Sequence, residues 1–316
     1  MRTLCAAALL IATFALAQKP EDPRLLIPTK APAMNVVAVP NPLPLPPGMD
    51  LGAPAASAYD SHGHHIVLFR GRYAFAEFDE NDKFIRVFGE GLFTRAHGLK
   101  IDKDDNMWAG DVTDSYVVKV NPQGKVLMTI GTRGKRGDWN EATGSHLLSE
   151  PNDYAIGRNG DIFIVQGHSF GKGDSRVLKF DKNGKFIKTW GGIGTEPGKF
   201  VVAHGIDIDA HGRLWIADRE NQRIQVFNQD GKFVRQMKYV GLPCNMVIGK
   251  QYVYMANGFT GQLLQLDLNG KVLAAAGKVG TGTGEFEEAH SVAVGPKGEI
   301  WVADTIRSAI QKFVKK

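Results

Sequence analysis

The chain has two cysteines in 316 residues, Cys5 and Cys244. Cys5 lies inside an apolar N-terminal run, so removal of that run would leave one thiol and no possible intrachain disulfide. Stability must then come from packing, helped by any bound metal. Beyond the N-terminus no apolar run is long enough to cross a bilayer. Dense basic clusters with interleaved aromatics are missing as well. The net charge of +5 is scattered along the chain, which argues against a nucleic-acid groove.

Glycine is plentiful, at 37 residues, and charged residues make up 22%, a balance that suits a turn-rich all-β protein. The opening "MRTLCAAALLIATFALAQKP" has the anatomy of an export signal. Arg2 supplies the positive end, 4–16 the apolar core, and Ala15-Leu16-Ala17 the small-residue cleavage site. This predicts a signal peptide over 1–17 and an exported protein, periplasmic or extracellular after cleavage near Ala17. Residues 18–50 form a proline-rich segment without periodicity, apart from "MNVVAVP" at 34–40.

From residue 51 onward the chain repeats itself. Each block has a short strand, a polar turn, an apolar strand with an aromatic, and two further strands joined by a turn. The second strands read "MWAGD", "IFIVQ", "LWIAD", "VYMAN" and "IWVAD", and an earlier block centred on Ile66 fits the same plan. The later turns read "NPQGK", "DKNGK", "NQDGK" and "DLNGK", with glycine where the backbone needs positive φ. Equivalent positions are Ile66, Trp108, Phe163, Trp215, Tyr254 and Trp301, spaced by about 47 residues, the period of a four-stranded blade. Six such units predict an all-β, six-bladed β-propeller over 51–316. The last block ends at "AIQKFVKK" with only a third strand, so the strand at 34–40 is expected to close the ring.

Aligning the blocks on their second strands also aligns the innermost ones, "RAHGLKID", "EPNDYAIG", "VAHGIDID", "LPCNMVIG" and "EAHSVAVG". One column then holds His97, Asn152, His204, Cys244 and His290, with Ala55 in the first blade. Histidine fills blades 2, 4 and 6 and skips those between. Alternate blades of six stand about 120° apart around the axis, so three imidazoles converge on one point. Three neutral histidines with an open position are a catalytic zinc's ligand set. A single inner-rim histidine would be explained by a hydrogen bond to tunnel water; the alternation favours Zn2+ on His97, His204 and His290. His211 falls in a column of ordinary turn residues, and His62, His64 and His65 are read in the same way. Cys244 is read as a buried, inert thiol.

These strings resemble the NHL-repeat propellers, and among them the peptidyl-α-hydroxyglycine α-amidating lyase domain of peptidylglycine α-amidating monooxygenases. The resemblance covers about residues 50–316 and is carried by "HGLKIDKDDNMWAGDV", "SRVLKFDKNGKFIKTWG" and "FVVAHGIDIDAHGRLWIADRENQRIQVF". It implies zinc on the same three histidines. It also implies two active-site arginines, matched by Arg70 in "FRG" and Arg219 in "ADREN". The repeat alone already places both just past the second strands of blades 1 and 4. A planar guanidinium is a natural carboxylate clamp. The family's catalytic tyrosine has no counterpart in "IVQGHSFGKGDSR"; His168 falls nearest, and either it substitutes as the base or the site is unable to perform the family reaction. The family's structural Ca2+ is a weaker expectation, because Ser291 stands where that family has an acidic residue.

The reaction implied is cleavage of the C–N bond of a peptidyl-α-hydroxyglycine, or a similar carboxylated N-acyl hemiaminal, to an amide and glyoxylate. The expected partner is a small peptide or N-acyl hydroxyglycine substrate, taken by a monomer that binds neither nucleic acid nor membrane. Any hydroxylase supplying it would be a separate chain. The alternative is a non-catalytic NHL propeller that binds a peptide, protein or glycan.

Overall fold

In a computed structural model, residues 20–169, 174–239 and 241–316 are described; the leader expected at 1–17 and residues 170–173, which follow His168 closely, lie outside them. The chain forms six four-stranded antiparallel sheets arranged as the blades of a β-propeller. Helix is confined, among the described residues, to one 3-10 turn, Pro23–Leu26. The innermost strands of blades 1 to 6 are Pro54–Tyr59, Ala96–Ile101, Pro151–Ile156, Ala203–Ile208, Asn245–Ile248 and Ala289–Val294. Blade 6 takes its outermost strand from near the start of the chain. Val36–Val39 pairs antiparallel with Ala309–Lys315, in a register running from Val36 opposite Lys315 to Val39 opposite Lys312.

Strand periodicity explains how the blades stack. Successive side chains leave opposite faces of a strand, so one blade contributes to two different cores. In blade 4, Leu214 and Ile216 pack against Ala155, Phe163 and Val165 of blade 3. Their neighbours Trp215 and Ala217 pack against Met246, Val253 and Met255 of blade 5. Each of the six junctions carries such a core, and no blade buries an apolar face alone. Trp301 packs the junction of blades 6 and 1 beside Val67 and Phe78.

His65 departs from the turn reading. It opens the second strand of blade 1, His65–Phe69, and is fully buried. Its ring stacks on Tyr59 at 4.7 Å and lies 4.4 Å from Trp301. Neither ring nitrogen has a hydrogen-bond partner among the described residues, and burial pushes its pKa down to about 3.

Candidate metal centre and active site

The pairing between first and second strands is interrupted in five of the six blades, always at the aligned column. It skips Ala55, Asn152, His204 and His290, and in blade 2 it skips both His97 and Gly98. A β-bulge leaves the extra residue out of the ladder and re-aims its side chain. Here that turns the column residues toward the propeller axis.

Each imidazole is then held by the next blade. Nδ1 of His97 donates to the Asn152 carbonyl at 2.8 Å, that of His204 to the Cys244 carbonyl at 2.9 Å, and that of His290 to the Ala55 carbonyl at 2.8 Å. The three acceptors are the non-histidine members of the same column. Because the contact uses the backbone, those blades tolerate asparagine, cysteine or alanine. A carbonyl can only accept, so each Nδ1 carries the proton and each Nε2 keeps its lone pair.

Those lone pairs face one another. The ring centroids lie 4.6 to 5.1 Å apart, and Nε2 of His97 and His290 are separated by 3.2 Å. Two bare acceptors at that distance repel unless a cation lies between them. The third, His204 Nε2, is buried with no partner among the described residues. Ligands about 2.0–2.1 Å from a tetrahedral zinc ion stand about 3.3 Å from each other, so the residues fit that ion. Burial, then the neighbouring histidines and arginines, holds His97 and His204 well below the usual histidine range. His290 is pushed down to about 4 by burial, with Glu288 partly opposing. All three are neutral at physiological pH, as ligands must be.

His168 lies over this centre, its ring 4.8 Å from His97 and 5.5 Å from His204. Its segment is tied down on both sides. Gly167 N donates to the carbonyls of Ser149 and Glu150, and Ser169 donates to the Glu150 carboxylate through N at 2.7 Å and Oγ at 2.5 Å. Burial and the charges of Arg219, Arg95 and Arg70 hold His168 neutral.

The two expected arginines differ in what they have left to offer. Arg70 donates Nε to the Ala96 carbonyl at 3.0 Å, while its Nη2 is buried and unpartnered among the described residues. Burial and the neighbouring Arg95 lower its pKa to about 10. Arg219 is buried and bound to Glu220, with Nε and Nη2 at 2.8 and 2.6 Å from one carboxylate oxygen. Burial opposes that charge, but the pairing wins and its pKa is raised.

Sequence reading missed Arg95, Glu150 and Glu288. They occupy the column two residues before His97, Asn152 and His290, each immediately ahead of an inner strand. The two carboxylates act on Arg95 electrostatically, and Glu288 accepts from Thr305 Oγ1. The signal was present as a second polar column beside the first.

Below the imidazoles, Asn245 Nδ2 donates to Asp153 Oδ2 at 2.9 Å, Ser291 Oγ lies 3.4 Å from Asn245 Oδ1, and Lys100 Nζ stands 4.0 Å from Asp153. One carboxylate, already bonded and faced by an ammonium, is unlike the oxygen cage a calcium ion takes. His211 sits in the turn of blade 4, where its N–H donates to Asp209. Cys244 is a buried free thiol.

Similarity to known proteins can be set beside this geometry. NHL repeats match residues 200–227 and 286–313. The chain is 29% identical to peptidyl-glycine alpha-amidating monooxygenase B of Xenopus laevis, across 84% of this chain and 34% of that protein. It is 30% identical to a probable peptidyl-alpha-hydroxyglycine alpha-amidating lyase of Caenorhabditis elegans, across 58% of this chain and 57% of that protein. The chain thus spans about a third of the length of the monooxygenase it matches. A streptogramin B lyase structure shares the fold, with a TM-score of 0.61 at 13% identity across 85% of this chain and 95% of that one. The chain is an NHL-repeat β-propeller homologous to the peptidylglycine α-amidating monooxygenases and the peptidyl-α-hydroxyglycine α-amidating lyases.

Proposed function

We propose that this protein is an exported, zinc-dependent lyase that converts a peptidyl-α-hydroxyglycine, or a similar carboxylated N-acyl hemiaminal, to an amide and glyoxylate. The observation that carries the reading is the set of three Nε2 lone pairs held on one point, with His97 and His290 only 3.2 Å apart. In that position a zinc ion supplies Lewis acidity, which lowers the pKa of the substrate hydroxyl.

The remaining work falls to the chain's own residues. The unpartnered Nη2 of Arg70 is available to a carboxylate, and a charge-assisted bond there orients the hemiaminal. His168, beside His97, is the ring placed to accept the hydroxyl proton, against burial and the neighbouring positive charges that disfavour its protonated form. The electron pair left on the oxygen then forms the carbonyl of glyoxylate, the C–N bond breaks with its electrons going to nitrogen, and the amide nitrogen takes back the proton held by His168. Atoms balance with no co-reactant. Arg219, held by Glu220, acts electrostatically on His204 and His168 and so orients the field at the reacting centre. The substrate in this reading is a small peptide or N-acyl hydroxyglycine.

The test measures zinc content and glyoxylate release from a synthetic α-hydroxyglycine peptide, for the wild type and His204→Ala. The reading expects stoichiometric zinc and glyoxylate from the wild type, and loss of both from the variant. Zinc without glyoxylate discards the substrate. A variant with full zinc discards the centre.

A further inference from the structure

We infer that the turn joining the first two strands of blade 1 binds a second divalent transition-metal ion through His64, Asp60 and Glu77, with His62 and Asp105 closing over it. The turn leaves the end of Pro54–Tyr59 opposite to Ala55, so the ion lies at the other end of the inner strand from the three imidazoles. A strand of that length puts the two centres about 20 Å apart.

The ligand atoms of Asp60, His64 and Glu77 lie within 4.8 Å of one another, close enough for one ion to draw them together. His64 Nδ1 lies 2.8 Å from Glu77 Oε1 and 3.6 Å from Asp60 Oδ2. His62 Nδ1 lies 3.7 Å from the same Asp60 oxygen and 3.6 Å from Asp105 Oδ2. Donors about 2.0–2.2 Å from one ion stand about 3.0 Å apart at a right angle and about 3.4 Å apart at the tetrahedral angle. Mixed imidazole and carboxylate donors favour zinc, cobalt, nickel or copper over calcium or magnesium.

The sister blades show what this turn has lost. In blade 2, Asp102 caps the turn with Oδ1, while Oδ2 accepts from Trp108 Nε1 at 3.1 Å and pairs with Lys119 Nζ at 2.9 Å. In blade 4, Asp209 Oδ2 accepts from Trp215 Nε1 at 3.0 Å and Arg213 Nε at 2.6 Å. Asp60 caps its turn in the same way, Oδ1 accepting from the N–H of His62 and of His64. Its Oδ2 has no hydrogen-bond donor among the described residues. The tryptophan position is Ile66, and the residue paired with it across the sheet is Glu77. The same cross-strand position holds Lys119, Lys179 and Lys312 in blades 2, 3 and 6.

Glu77 therefore reverses the charge where other blades carry an ammonium. Arg86 binds its Oε2 at 2.6 Å and is the one cation paired with Glu77 among the described residues. Three carboxylates and two imidazoles thus share one guanidinium. A divalent cation supplies the missing charge and replaces the proton between His64 and Glu77. Asp105 belongs to blade 2 and already holds Ser61 through N and Oγ, both at 2.7 Å. The ion would pin blade 1 to blade 2 at the end farthest from the three-histidine centre.

The experiment titrates chelator-treated protein with Zn2+ and maps histidine acylation by mass spectrometry with and without the ion. Two zinc equivalents are expected for the wild type, and about one for the double variant Asp60→Asn/His64→Gln, with glyoxylate release unchanged. Acylation at His62 and His64 should slow on zinc addition in the wild type, and also in a His204→Ala background. Equal zinc binding by the wild type and the double variant overturns the site, as does acylation at His62 and His64 that ignores zinc. Because the acylation is read at these two residues, the result does not depend on whether the inner centre is occupied.

Discussion

Two arginines in one repeat column carry different amounts of unspent charge, and that sets what their loss should do. Arg70 has an unpartnered buried Nη2, whereas Arg219 neutralises Glu220. A charge-assisted hydrogen bond is worth about 1.5–3 kcal/mol, so Arg70→Gln should raise KM for a carboxylated substrate by roughly 10- to 100-fold. Zinc content should stay unchanged, and steady-state glyoxylate release beside metal analysis separates the two effects. Arg219→Gln strands a buried carboxylate and should cost about 3–5 kcal/mol of stability as well, read by denaturant unfolding. His65 gives a pH test. Its pKa is about 3 in the folded chain, below the 6.5 of an exposed histidine. The unfolded chain takes a proton first, so this contribution is complete above about 6.5 and fades as pH falls toward about 3. His65→Phe keeps a ring between Tyr59 and Trp301 and removes two unpartnered nitrogens. Its unfolding midpoint should exceed the wild type's by more at pH 5 than at pH 8.

Inner strands do their work through their irregularities. The bulge that skips His204 turns it toward the axis, and the glycine after it lets the backbone reach the next blade. A Cβ at Gly205 would lie 2.5 Å from the Cys244 carbonyl oxygen, the atom that accepts from His204 Nδ1. Gly98 stands in the same relation to the Asn152 carbonyl, also at 2.5 Å. Gly205→Ala must therefore push blade 4 off blade 5 and tilt the imidazole. The expected cost is about 1–3 kcal/mol of stability together with weaker zinc retention, followed by thermal unfolding and competition with a chelator. An alanine variant as stable and as tight as the wild type would show that the close approach is not needed.

The ring as a whole depends on one short strand. Val36–Val39 is the fourth strand of blade 6, and without it Ala309–Lys315 becomes an open edge. Met34 and the partly buried Val36 and Ala38 also pack into the core between blades 5 and 6. Deleting 34–40 should lower the unfolding midpoint and broaden the transition, because the last blade then opens ahead of the others. Calorimetry showing one unchanged, sharp transition would contradict this. Zinc release should accompany that opening, since His290 is carried by blade 6.

Repetition made the architecture legible from the chain alone. Alternation and turn residues recur in every block, strand alternation is a local property, and so the six blades and the columns holding His97, His204 and His290 could be read by alignment. The column of Arg95, Glu150 and Glu288 was visible by the same rule but lacked a partner to give it meaning until the blades were brought together. Other features needed the tertiary structure because they join residues from different blades or from different strands of one sheet. The carbonyls of Asn152, Cys244 and Ala55 fix the imidazole tautomers whatever side chains those residues bear. The burial of His65 depends on Trp301, at the other end of the chain. Glu77 faces Asp60 and His64 because of sheet register. Local pattern determined which residues point inward; only the closed ring decided which atoms meet there, since its contacts are set by blade packing and not by sequence separation.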